Sequence, residues 1–484
     1  MSNWLKPLPF VWLVACLVAC LPAGGLAAET RKPNIVLILA DDLGWTDVGY
    51  NGSSFFETPR IDQLVRDGMM FTSGYASAAK CVPARACLLS GQYTPRHNVY
   101  TVGSTARVPQ ALMRMIPVTN TSGLPPRNVT LAEVLKTAGY ATGIFGKWHL
   151  AGKDGVEPSE QGFETVMDQD YPGSGIREDP KGIFEITRAA CEFIEGNRVG
   201  PFFAYVSHHA IHSGWQARGE TLKHFQSRPR GDEPATPLYA ACVADLDTSV
   251  GILLDKLADL GLATNTLVVF TSDHGRVPSL PQEPLRGGKG SYYEGGIRVP
   301  FIVQWPGVVV PGSTCNEPVT HTDLFPTFLE AAAAPTPAAK QLDGESLLPL
   351  LQSTSPLRRA ALFWHYPRYL NGPVHRGRDP VFRTRPVSAI RKGDWKLLLY
   401  HEEWQLDGGL TKVNSNNAVE LYNLAEDLGE RHNVALDNRQ KRDELVDDLL
   451  AWFKSTAALL PTQSNLSYDP STEQPANSNP SGQE

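Results

Sequence analysis

Apolar residues cluster in continuous runs rather than alternating along the first 280 residues. The runs are Asn34 to Ala40, Tyr140 to Phe145, Pro201 to Ser207 and Leu267 to Ser272. Unbroken apolar runs of six or seven residues suit strands buried on both faces of a parallel sheet. Helical spacings lie between them. Thr58 to Asp67 puts Ile61, Leu64 and Val65 on one face, and Thr130 to Ala138 opens with a Thr130/Glu133 capping box and stops at Gly139. Pro237 to Leu260 carries Val243, Leu246, Val250, Leu253, Leu254 and Leu257 at helical spacing and is read as a core helix lying on the sheet. Strands alternating with helices define an α/β protein. After Leu342-Asp343-Gly344 the pattern changes. Val387 to Leu399 and Ala418 to Leu424 read as short strands, followed by a helix from Lys441 to Phe453.

Residues 103–127, with Arg107 and Arg114, have the turn-rich look of an insertion. Phe363 to Tyr369 and Arg376 to Arg385 read as a basic, aromatic loop. The expected divisions are an export signal at 1–28, a main domain at 32–355, a C-terminal subdomain at 356–460 and a tail at 461–484. That tail is rich in Ser, Pro, Asn and Gln and is expected to be disordered.

Composition narrows the function classes. The chain has 484 residues, 42% hydrophobic and 20% charged, with a formal net charge of -7. That balance gives no support for nucleic-acid binding, which favours a basic stripe. An anionic substrate must instead be met by Lys and Arg gathered locally. Residues 1–28 combine Lys6, an apolar run from Phe10 to Leu21 and small residues at Ala27 and Ala28, the pattern of a secretory signal. Leu13-Val14-Ala15-Cys16 and Leu17-Val18-Ala19-Cys20 also resemble lipoprotein signals. Free export and membrane anchoring at Cys16 or Cys20 both stay open. Cys87, Cys191, Cys242 and Cys315 offer two disulfides without fixing their pairing.

Chemistry gathers where the strands stop. Asp41-Asp42 follow the first run, and Lys147 and His149 follow the second. His208, His209 and His212 follow the third, and Asp273-His274 the fourth. Adjacent carboxylates at a buried strand end call for a positive partner. Open α/β sheets bind their ligands at this edge. Leu285 to Gly290 adds a glycine-rich loop carrying Lys289.

The run Cys81-Val82-Pro83-Ala84-Arg85-Ala86-Cys87-Leu88-Leu89-Ser90-Gly91 resembles the signature of type I sulfatases, whose first Cys is oxidised to formylglycine. Gly146-Lys147-Trp148-His149 resembles their second signature, and Asp41-Asp42 with Asp273-His274 their calcium segments. The resemblance covers nearly the whole chain after residue 32. It implies an alkaline phosphatase-like α/β fold: a large, mixed, mostly parallel sheet sandwiched by helices, with a small C-terminal antiparallel α+β subdomain. It implies one Ca2+ held by Asp41, Asp42, the residue made from Cys81, Asp273 and His274. His274 stands where Asn is common, which leaves open whether it ligates or binds sulfate. The implied catalytic set is Cys81, Arg85, Lys147, His149, His212 and Lys289, with Arg85 holding the formylglycine. Lys289 or His212 would protonate the leaving oxygen, and Arg298 would be structural. The expected activity is sulfate ester hydrolysis by an exported enzyme on sulfated carbohydrate, after processing by a formylglycine-generating enzyme. A phosphonate or phosphate ester hydrolase of the same superfamily is the alternative enzyme. A non-catalytic surface lipoprotein that binds sulfated glycans is the alternative outside catalysis.

Overall fold

The apolar runs become neighbouring strands of one sheet. The computed structural model describes residues 1–2, 31–103, 108–370 and 385–472. The proposed signal, Arg107, residues 376–384 of the basic loop and the tail beyond 472 lie outside the described residues. Met1–Arg31 forms a unit of its own, of which only residues 1, 2 and 31 are described; everything below concerns the unit that begins at Lys32.

Eight strands build the large sheet: β1 (Asn34–Ala40), β2 (Met69–Phe71), β3 (Ala141–Gly146), β4 (Thr165–Met167), β5 (Phe202–Ser207), β6 (Thr266–Ser272), β7 (Phe301–Gln304) and β8 (Ser313–Cys315). Their order is β8-β2-β7-β6-β1-β5-β3-β4. β1 lies parallel between β5 and β6, with Ile38 facing Val206 on one side and Phe270 on the other. Only β7 runs antiparallel to its neighbours, which makes the sheet mixed but mostly parallel. Val36, Ile38 and Ala40 point into one core with α4 (Ile183–Gly196) and α5 (Pro237–Asp259), α1 (Pro59–Asp67) flanking it. Ile35, Leu37 and Leu39 point into the opposite core with α2 (Cys81–Ser90), α3 (Leu131–Thr137) and α6 (Leu324–Ala331). A strand packed on both faces needs apolar residues at every position, which explains the unbroken runs. α5 is long and apolar enough to cross a membrane by composition, but 67% of its most apolar window is buried in this core.

The smaller sheet is β9 (Leu362–Tyr366), β10 (Val387–Lys392), β11 (Trp395–Tyr400) and β12 (Val419–Asn423), antiparallel throughout. One face packs Trp364, Tyr366 and Leu398 on Tyr75, Tyr292 and Ile297 of the large sheet's side. The other packs on α7 (Arg439–Thr456), where Phe363 stacks on Trp452 with centroids 5.0 Å apart. Residues 363–366, expected in a loop, are therefore an edge strand. Their period-two alternation of Trp364 and Tyr366 against Phe363 was hidden by the neighbouring Pro and Arg residues.

Residues 461–472, expected to be disordered, are also ordered. Ser464 bridges to Met115, and the Asn465 amide donates to the Gln110 and Met113 carbonyls. Cys81, Cys87, Cys191, Cys242 and Cys315 are all free thiols, so the two disulfides that four cysteines allowed do not form among them.

Candidate active site

The carboxyl ends of β1 and β6 meet the first residue of α2. Asp41 and Asp42 leave β1, Asp273 and His274 leave β6, and all four side chains are fully buried. The Asp41 amide donates to the Ala210 carbonyl at 2.8 Å, and the Asp273 amide to the Ala40 carbonyl at 3.0 Å. Asp42 adopts φ 67° and turns its amide to Asp273 Oδ1 at 3.2 Å. Cys81 Sγ lies 3.1 Å from His274 Nε2 and 3.6 Å from Asp41 Oδ1. Three cations close on this cluster. Lys147 Nζ pairs with Asp41 Oδ2, Lys289 Nζ donates to Asp42 Oδ2 at 2.8 Å, and Arg85 Nε and Nη2 donate to Asp273 Oδ2 at 3.1 and 3.0 Å.

The electrostatics follow from this arrangement. Burial would raise the Cys81 thiol, but Lys147 and then Lys289 outweigh it and bring the thiol well below its usual range. Burial opposes the ionised Asp41 carboxylate, and Lys147 with His212, Arg85 and Lys289 overcomes it, holding Asp41 well below its usual range. Burial, reinforced by Asp41, pushes Asp273 up. For His274, burial is outweighed by Asp273, Cys81 and Asp42, and its titration moves up to about 9. Its Nδ1 lies 3.1 Å from the Gly275 carbonyl, which places a proton there and leaves Nε2 facing the cluster. Asp42 Oδ1 accepts no hydrogen bond, although His274 Nε2 stands 3.2 Å away.

Asp41, Cys81, Asp273 and His274 bring one ligand atom each within 4.8 Å of one another, and so do Asp42, Cys81 and His212. A water-excluded group of carboxylate oxygens fits a hard divalent cation. The cation would relieve the repulsion that raises Asp273 and would take up the free Asp42 oxygen.

Arg85 lies beneath the cluster as a buried clamp. Its guanidinium is fully buried and donates to Asp273, to the Lys147 carbonyl at 2.9 Å and to Ser207 Oγ. It holds the ends of β3, β5 and β6 together beneath Cys81. His149 is exposed, adopts φ 61° and lines a cleft of about 920 Å³ with Lys147 and His212. His208 is buried and held neutral, its titration lowered by burial to about 3, in keeping with a packing role. Arg298 pairs with Glu294 and donates to the Thr72 carbonyl and Ser73 Oγ, a structural role as expected.

Four supporting residues gave little signal in the sequence. Ser207 Oγ donates to the Lys147 carbonyl at 2.7 Å, and Lys147 N–H donates to the Ser207 carbonyl at 2.7 Å. Gly146 permits this approach, since a Cβ there would lie 2.1 Å from the Ser207 carbonyl oxygen. Asp47 is paired with Arg276, and both are fully buried. Asp47 accepts the Gly44 amide at 2.8 Å while the Arg276 carbonyl accepts the Lys289 amide at 2.8 Å, so one ion pair ties the Asp42 turn to the Lys289 loop. Lys181, buried at the cleft wall, was unremarked in its Asp-Pro-Lys-Gly setting. Such contacts join residues far apart in the chain and leave no local pattern.

A mostly parallel sheet that gathers buried carboxylates, three cations and a low-titrating thiol at its carboxyl edge defines a hydrolase of anionic esters with the alkaline phosphatase-like fold. The sulfatase family model matches residues 33–334, and the model of the N-sulphoglucosamine sulphohydrolase C-terminal region matches residues 288–455. The chain is 34% identical to human arylsulfatase A over 85% of each chain. It is 32% identical to a sulfatase of Formosa agariphila, covering 94% of this chain and 95% of that one. Among solved structures, Ps i-CgsB, also crystallised in complex with k-i-k-neocarrahexaose, superposes with a TM-score of 0.71 at 27% identity, over 91% of this chain and 95% of that one. The chain belongs to the sulfatase family and is a sulfuric ester hydrolase.

Proposed function

We propose that this sulfatase works through a formylglycine made from Cys81, with one Ca2+ held by Asp41, Asp42, Asp273 and His274, and that it removes sulfate from sulfated carbohydrate. The observation that carries the reading is the placement of Cys81. It is buried at the first turn of α2, with Lys147 and Lys289 lowering its titration and three carboxylates beside it. The Sγ position stands in for the oxygen of the oxidised residue. In that form the hydrated aldehyde supplies a hydroxyl nucleophile, and the cation supplies Lewis acidity to lower its pKa and to polarise the sulfuryl oxygens.

The chain's own groups divide the remaining work. Lys147 and Lys289 present fixed ammonium groups where charge develops on the sulfuryl oxygens. The amides at the start of α2 favour negative charge at the same place. Arg85 fixes Asp273 and the Lys147 backbone, so the field does not reorganise as charge moves. His212, within reach of Asp42 and Cys81, or Lys289 Nζ gives a proton to the departing alkoxide. His149, on the cleft side of Lys147, takes the proton whose removal releases sulfate. The carbohydrate assignment rests on the open cleft and on Ps i-CgsB, crystallised with a neocarrahexaose. Export to the periplasm, cell surface or medium is proposed from residues 1–28, with a formylglycine-generating enzyme as maturation partner.

The test is the mass of the Cys81 peptide from protein made alongside a maturation enzyme. A thiol-to-aldehyde mass is expected, together with loss of activity on chelation that Ca2+ restores and turnover of sulfated sugars. Cys81→Ala is expected to abolish aryl sulfate hydrolysis. An unmodified thiol in a fully active enzyme overturns the reading.

A further inference from the structure

The cleft above the reaction centre has a wall whose charge the chemistry just described does not use. Lys181 lines that wall with Lys147, His149 and His212, and is 5% exposed. Its Nζ donates to the Ser213 carbonyl at 2.9 Å, next to His212. Among the described residues no carboxylate oxygen lies within 4.0 Å of it. An ammonium group held out of water without a counter-ion is costly, and proteins pair such groups. Burial, with Lys147 adding to it, outweighs Cys242, Asp41 and Asp42 and lowers its titration from the usual lysine value.

The wall is built to keep the group there. Lys181 adopts φ 55°, a backbone state that costs a non-glycine residue free energy and persists only where its surroundings impose it. Its amide donates to Gln216 Oε1 at 2.8 Å, and Gln216 Nε2 donates to the Pro172 and Gly173 carbonyls at 3.0 and 3.1 Å. Gln216 therefore locks the 171–173 and 180–182 turns to one another. Gly182, at φ 64°, fits only because it lacks a Cβ, which would lie 2.0 Å from the Tyr171 ring. Gly214, at φ 77°, also needs its missing Cβ, which would lie 2.8 Å from the Gly173 carbonyl oxygen. Glu157, Asp168 and Asp170 also line the cleft but do not reach Lys181. They disfavour anionic groups beside them and suit hydroxyls.

We infer that Lys181 is the specificity residue for a second anionic substituent, a sulfate or carboxylate, on the sugar whose sulfate ester is cleaved. This rests on the proposed carbohydrate sulfatase reading. The substituent lies on the Lys181 and Ser213 wall, and the uncharged hydroxyls face Glu157, Asp168 and Asp170.

The test compares kcat/KM for a singly sulfated disaccharide and the same disaccharide carrying a second sulfate or carboxylate, in wild type, Lys181→Met and Lys181→Arg. Wild type is expected to prefer the doubly charged sugar. Lys181→Met is expected to lose about 10- to 100-fold of that preference, the scale of one charge-assisted hydrogen bond, mainly in KM. Lys181→Arg is expected to keep most of it, and rising salt to erode it in wild type. An equal preference in wild type and Lys181→Met overturns the assignment, as does an equal fractional loss on both sugars. Melting curves of both variants separate a folding defect from a binding one. If 4-nitrophenyl sulfate is hydrolysed and neither sugar is, the carbohydrate reading fails. Lys181 is then decided by the same ratio on aryl sulfates with and without a ring carboxylate.

Discussion

Lys396 tests whether the small sheet is part of the catalytic apparatus. Its side chain, on β11, is fully buried, and its Nζ lies 2.8 Å from Glu294 Oε1 and 2.9 Å from Glu430 Oε1. Both carboxylates are also fully buried, and Glu430 Oε2 accepts the Glu294 amide at 2.6 Å. Glu294 opens the turn that follows the Lys289 loop, and Arg286, at the front of that loop, donates to the Glu430 carbonyl at 3.1 Å. Arg298 stays 3.3 Å from Glu294 Oε2, whereas among the described residues Lys396 alone pairs with the Glu430 carboxylate. Lys396→Met keeps the length and apolar volume of the side chain but leaves Glu430 buried against Glu294. Removing one partner of a buried ion pair costs about 3–5 kcal/mol, a large part of a typical total stability of about 5–15 kcal/mol.

The readout must match that size. At about 2.1 cal/mol/K per residue, a chain of this length loses roughly 1 °C of Tm per kcal/mol. The expected shift is therefore only about 3–5 °C, and a urea titration resolves it better. Activity is expected to fall several-fold at a temperature where the variant is still folded, because the Lys289 loop loses its anchor. Lys396→Met with Glu430→Gln is expected to recover part of the loss by removing the stranded charge. A single variant that melts within about 1 °C of wild type at full kcat/KM would refute the reasoning.

Two further outcomes are expected. His365 Nε2 bonds the Leu459 carbonyl at 2.9 Å and Nδ1 meets Ser388 Oγ at 2.7 Å, which in turn meets His401 Nε2 at 2.9 Å. Burial lowers His365 to about 4 and, with His365 beside it, His401 well below its usual value. The unfolded chain then binds more protons than the folded one between about pH 6.5 and 4, so stability falls as pH drops through that window, by about 1.4 kcal/mol per unit for each such histidine. His365→Gln should flatten the wild-type dependence of the urea midpoint between pH 6.5 and 5; equal slopes would sink the idea. Gly275→Ala puts a Cβ 1.9 Å from the Gly295 carbonyl oxygen and must displace either His274 or the 294–297 turn. Purified variant with normal Ca2+ affinity and activity would show that the close approach has no such consequence.

The large sheet was legible because a strand buried on both faces must be apolar at every position. β1 coincides with the run read from the sequence, and β5 and β6 differ from theirs by one residue. Asp41, Asp42, Asp273 and His274 were legible for the converse reason, since charge at the end of such a run has to find a partner. Arg85 was legible as a site residue, but its bonds to Asp273, Ser207 and the Lys147 carbonyl were not, because sequence spacing does not say which way a guanidinium reaches through a core. β9 was missed because its alternation of Trp364 and Tyr366 against Phe363 and His365 is short and runs straight into Pro367 and Arg368, which read as a loop. Lys181, Gln216 and the Asp47–Arg276 pair depend on contacts between distant turns, where residue type alone says nothing.

The charge count at the reaction centre explains why both cations and carboxylates are packed there. Asp41, Asp42 and Asp273 offer three carboxylates, and Arg85, Lys147 and Lys289 three cations, with Lys147 on Asp41, Lys289 on Asp42 and Arg85 on Asp273 and, at 3.8 Å, Asp41. Left to itself the cluster is near neutral and has little pull on an anion. The proposed divalent cation changes that balance by two charges in a pocket closed to water, where the screening that weakens surface fields is small. The centre then attracts a sulfate ester even though the chain as a whole is anionic. With such a cation sharing the load on Asp41 and Asp42, Lys147 and Lys289 would be less tied to those carboxylates. Both lie at the cluster's margin and keep a little solvent exposure, at 11% and 13% of the side chain, while Arg85 keeps none. The two lysines therefore have room to move toward an incoming anion and the arginine has none, which is in keeping with the substrate role proposed for the lysines.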